Sequence, residues 1–88
     1  MIPLEWLNEL VQTRDGYRRL LAKEGNLLVA AHRIAVAKCM SWEVATHVPT
    51  RREVRAAARM IARQVPGLRV PETAAIVREC EALGLAVL

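Results

Sequence analysis

At 88 residues, 53% of them hydrophobic and 25% charged, the chain is long enough for one domain with a modest core and too apolar for a disordered tail. Its opening, MIPLEWLNEL, carries Glu5 and Glu9 where a secretory signal needs a positive region, and the longest apolar run, around LLVAAHRIAVA, is broken by His32 and Arg33 before it can span a bilayer. The formal net charge of +4 is concentrated, because residues 49 to 69 hold six basic groups against one acidic, whereas residues 70 to 88 hold one against three. A single cytoplasmic domain over residues 1–88 is expected, all-α, with four to five short helices.

Phe is absent and Trp6, Tyr17 and Trp42 are the only aromatics, so Ala, Val and Leu must fill the interior. Pro3 suits a first helical position, and Leu4, Leu7, Leu10 and Val11 follow at helical spacing. The stretch QTRDG then interrupts: Gly16 weakens a helix interior, and Thr13 or Asp15 can cap a fresh start. Tyr17, Leu20 and Leu21 share a face up to a stop at Gly25, in one bent helix or two short ones.

Asn26 can cap the next helix, LLVAAHRIAVAKCMSWEVATH, whose main apolar face is Leu27, Leu28, Ala31, Ile34, Ala35, Trp42 and Ala45. A second stripe of Val29, Val36, Met40 and Val44, interrupted by Arg33, lies on roughly the opposite side. A helix apolar on two sides must be covered on two sides. It is predicted to be the central helix of the bundle, and the Val29, Arg33, Val36 and Met40 side is predicted to meet a partner, a second copy of the chain above all.

Pro49 breaks the chain, and Thr50 with Glu53 three residues later forms a capping-box signature. The helix that follows has a core face of Val54, Ala57, Ala58, Ile61 and Val65. Arg51, Arg55, Arg59 and Arg63 recur every fourth residue beside it, joined by Arg52. Pro66 and Gly67 end this helix, and Pro71 begins a last one with Thr73, Ile76, Val77, Cys80 and Leu83 inward and Gly84 at its stop. The final LAVL either docks apolar side chains or runs as a short extended tail.

Like charges four apart cost a helix about 0.2–0.5 kcal/mol per step, so a folded domain tolerates the arginine row without compensation. The row is then a solvated face, or one neutralised by Glu72 and Glu79 on the neighbouring acidic helix. Arginine outnumbers lysine eleven to two, and a GC-rich coding bias accounts for part of that excess. As a binding face, the row extends about 18 Å and suits an acidic protein surface, since the planar fork of arginine pairs with carboxylates and a nearby apolar stripe supplies a desolvated centre.

Nucleic acid is the alternative partner. From Val48 onward the order of elements resembles a helix-turn-helix, its last helix ending in Leu-Gly-Leu as winged-helix domains often do. That resemblance implies a duplex DNA-binding regulator. The helix that would read the groove carries Glu72, Glu79 and Glu81 against Arg78 alone, a charge that phosphates repel.

Catalytic chemistry finds little support. His32 and Cys39 stand two helical turns apart, roughly 10 Å, too far to share a metal ion, and the i, i+4, i+8 set of Cys39, Glu43 and His47 lacks further ligands. Cys39 and Cys80 read as reduced small hydrophobes. No glycine-rich phosphate loop is present. The chain is predicted to be a non-enzymatic regulatory or adaptor protein with no cofactor and no metal, acting through Arg51, Arg52, Arg55, Arg59 and Arg63 on an acidic protein partner.

Overall fold

A computed structural model describes residues 14–39 and 48–88, with side-chain surroundings for residues 15–37 and 48–88. The helix expected from Pro3 to Val11, the Thr13 cap, the stretch from Met40 to His47 and the Cys39 side chain lie outside these residues. The described chain is an all-α bundle of four helices: α1 (Arg14–Glu24), α2 (Leu27–Cys39), α3 (Arg51–Gln64) and α4 (Thr73–Ala82).

Local sequence sets most of the boundaries. Gly25 closes α1 at φ +70°, in the left-handed region that costs glycine least, with its N–H donating to Leu21 O at 2.8 Å. Asn26 then caps α2, its Oδ1 accepting from the N–H groups of Leu28 at 2.8 Å and Val29 at 3.2 Å. For α3 the capping box forms reciprocally: Glu53 N–H donates to Thr50 Oγ1 at 3.1 Å, and Thr50 N–H donates to Glu53 Oε1 at 2.9 Å. Helix α4 has a weaker entry than α2 or α3, because Glu72 occupies the N-cap without a side-chain hydrogen bond. Its exit is well built: Gly84 N–H donates to Glu81 O and Leu85 N–H to Cys80 O, the two bonds of a Schellman motif.

Tyr17 and Leu20 of α1, Leu28, Ala31, Ile34 and Ala35 of α2, Val54, Ala57, Ala58 and Ile61 of α3, and Ile76 and Cys80 of α4 are all buried in one cluster. Helices α2 and α3 make the largest contact, and each also touches α1 and α4, so the helix expected at the centre shares that place with the arginine helix. Alanines at buried positions of both helices keep the contact free of bulk. Ala30 and Ala37 are buried too, which widens the covered arc of α2 to about half its circumference. In the second stripe Val29 and Val36 are half-buried, and Arg33 Nε lies 2.9 Å from Glu24 Oε1 of α1. Part of that side is thus covered within the chain itself.

The last helix corrects one inward position. Leu83, counted with Ile76 and Cys80, is 41% exposed. It is the C-cap residue, and the chain reverses at Gly84, so its side chain leaves the helical face and Leu85 packs on the core instead. Beyond the turn, Leu85 and Val87 face the cluster while Ala86 and Leu88 face out, an alternation of extended backbone. Three further contacts fasten this tail. Leu88 N–H donates to Pro49 O at 3.0 Å, Arg51 N–H donates to Leu88 O at 2.9 Å, and His32 Nε2 lies 2.8 Å from Ala86 O. Since a carbonyl only accepts, the ring nitrogen is the donor there.

Candidate arginine-lined interface

Four residues advance a helix by 400°, so each arginine of the row is turned about 40° beyond the previous one. The row therefore spirals from the edge of the core to the open side and is not one face. Arg51, nearest the core edge, sends its Nε to Leu88 O at 3.3 Å. Arg55 is half-buried and donates through Nε to Pro71 O at 3.1 Å. Arg59 and Arg63 are exposed, and so is Arg52, which lies two turns before Arg59 on the same side.

Neutralisation by Glu72 and Glu79 is not what the structure shows. Arg51 and Arg55 are held by main-chain oxygens, and among the described residues Arg52, Arg59 and Arg63 have no hydrogen-bond or ion-pair partner. The reason lies in the connection between the helices. After Pro66 and Gly67, at φ +88°, the chain runs back along α3, so that the carbonyl of Pro71 and the side chain of Val70 meet the arginines before α4 begins.

Two hollows result. One, of about 280 Å³, is lined by Arg55, Arg59, Ala62, Arg63 and Val70. The other, of about 270 Å³, is lined by Arg52, Arg55, Ala56, Arg59 and Thr73. Arg55 and Arg59 belong to both, and no carboxylate lines either. Ala56 lines one and Ala62 the other, and their short side chains take up little of the space. On the other side of the connection, Arg69 and Pro71 join Leu27, Leu28, Glu79 and Leu83 around a hollow of about 350 Å³.

Val70 and Thr73 escaped the sequence reading, which placed Thr73 in the core. The length of the Gln64 to Pro71 connection was the available signal, because a segment too long for a tight turn must lie against something. As for the helix-turn-helix resemblance, Glu72, Glu79 and Glu81 are all exposed, and no strand follows Gly84 among the described residues.

Cys80 sits fully buried beneath α4, and burial, followed by the nearby Glu79 charge, pushes its thiol up from the ordinary value. Tyr17 is raised likewise by burial. Both favour their neutral forms, the opposite of an activated nucleophile. No three His, Cys, Asp or Glu gather as metal ligands among the described residues, where no helix is long and apolar enough to cross a membrane. Comparison with protein-family models, with curated proteins and with solved structures finds no match to this chain.

Proposed function

We propose that the protein is a non-enzymatic regulatory or adaptor module that acts by docking an acidic surface of another protein on the open side of α3. The observation that carries this reading is the pair of hollows between Arg52, Arg55, Arg59 and Arg63, in which charge and apolar surface alternate and carboxylates are absent. A glutamate side chain fits such a lining, its carboxylate on a guanidinium and its methylenes on Ala62 or Val70.

Duplex DNA is the second reading, supported by Arg52, Arg59 and Arg63, which span about 17 Å of helix with no partner among the described residues. The exposed Glu72, Glu79 and Glu81, against Arg78 alone, weigh against it, since carboxylates repel phosphates. Homodimerisation through the half-buried Val29 and Val36 of α2, with Met40 outside the described residues, belongs to the same proposal. Light scattering on the purified protein gives its mass directly.

One titration separates the two partners. A glutamate-rich peptide and a short DNA duplex, each fluorescently labelled, are compared by anisotropy across a salt series. The peptide is expected to bind, and Arg59→Glu with Arg63→Glu to weaken it more than about tenfold without loss of helicity. Binding unchanged in that variant removes this side of α3 from the account. Duplex binding with a log-log salt slope near about four would put DNA first. Arg55 is left intact because it holds the connection to α4.

A further inference from the structure

We propose that the hollow lined by Arg52, Arg55, Arg59 and Thr73 is the seat of a phosphate monoester, carried on a phosphorylated side chain of the acidic partner. The inference rests on the protein-docking reading above and specifies the group that reading leaves open.

The donor set decides between anions. Three arginines and a threonine line one hollow of about 270 Å³, and no acidic residue does. A carboxylate brings one charge and two oxygens, and a single bidentate arginine occupies both of them. Two further guanidiniums would then face each other uncompensated. A phosphate monoester brings between one and a half and two negative charges at neutral pH, by the usual second ionisation, and three acceptor oxygens. Each of the three arginines can then hold an oxygen edge of the same group. A phosphodiester, the linkage of a nucleic-acid backbone, has one charge and two free oxygens and is no better matched than a carboxylate.

Preorganisation points the same way. The bond from Arg55 Nε to Pro71 O fixes that side chain and leaves its terminal amino groups as the donors for a ligand. Because the arginine is already held, less side-chain freedom is lost when an anion arrives. The adjoining hollow, with Val70, Ala62 and Arg63, would take a neighbouring acidic residue of the same segment.

Three labelled peptides test the seat. They are identical alternating Glu-Ala sequences with serine, phosphoserine or glutamate at the centre. At neutral pH and fixed salt, the phosphoserine peptide is expected to bind at least about tenfold more tightly than the serine peptide and severalfold more tightly than the glutamate one. Arg52→Lys with Arg59→Lys keeps the charge and removes the fork, so it should weaken the phosphoserine peptide more than the glutamate one and narrow the preference between them. Both residues are exposed, so folding is not at risk, and circular dichroism verifies it.

Equal affinity for all three peptides overturns the seat, as does a phosphoserine preference that is undiminished in the lysine variant. Acidic peptides that bind through Arg59 and Arg63 with no gain from phosphorylation would sink the phosphate seat alone. If no peptide binds, the docking reading fails with it. A short duplex that matches the phosphopeptide in affinity would give the hollow to backbone phosphates, which also overturns the proposal.

Discussion

Arg55 and Arg59 are the same residue type one turn apart, yet the fold uses them differently. Arg55, half-buried, ties α3 to the carbonyl of Pro71, whereas Arg59 is exposed and has no partner among the described residues. Arg55→Ala is therefore expected to lower the urea unfolding free energy by about 1–2 kcal/mol, through a lost charged hydrogen bond and an unpaired carbonyl, while Arg59→Ala stays within about 0.5 kcal/mol. Equal effects from the two substitutions would contradict the assignment. The repeat of four and its drift of about 40° per step were legible in the sequence, and the separate use of Arg55 was not, because its acceptor lies sixteen residues downstream. A second residue-scale consequence concerns pH. Cys80 and Tyr17 both hold their protons more firmly in the fold, so the stability they contribute is complete below the ordinary values of 9.0 and 10.0 and is lost as pH rises through and beyond them. The urea midpoint should fall above pH 9.0, and Cys80→Ala should flatten the thiol's share of that fall.

Helix ends were the most readable elements, and the reason is their locality. Gly25 and Asn26 between α1 and α2, Thr50 with Glu53 at α3, and Gly84 after α4 act within a few residues of themselves, so their pattern in sequence is already their geometry. Thr50→Ala is expected to cost about 1 kcal/mol, measured as a fall in the thermal midpoint. Helix α4 offers the reverse case. Glu72 contributes no cap, so Glu72→Ser should raise stability by about 0.5–1 kcal/mol, and no gain would mean that the first turn is already satisfied by other means. Leu83 shows where locality ends. Spacing alone places it beside Ile76 and Cys80, but the helix stops before it, and the turn at Gly84 hands its inner position to Leu85.

At the scale of the molecule, the sequence indicated a small bundle with α2 inside, and the structure adds that α3 shares the centre. That addition follows from alanines. Ala57 and Ala58 of α3, like Ala30, Ala31, Ala35 and Ala37 of α2, carry so little hydrophobic signal that a pattern of large apolar residues underestimates how much of each helix is covered. The candidate interface was legible only in its arginines. Its walls come from the returning connection, whose path depends on contacts made after the chain has folded.

The fastening of the tail has a consequence in time. His32 meets Ala86 across 54 residues, and Arg51 is joined to Leu88 across 37, so these contacts close only after the helices have brought their ends together. Contacts of that kind form late and open early. The amide of Arg51 lies in the first turn of a well-capped helix, but its acceptor is Leu88. In native-state hydrogen exchange it should lose its proton at the rate at which the tail lifts, together with the amide of Leu88 and well ahead of that of Ile61. A single amide at the start of α3 thus becomes a clock for the far end of the chain.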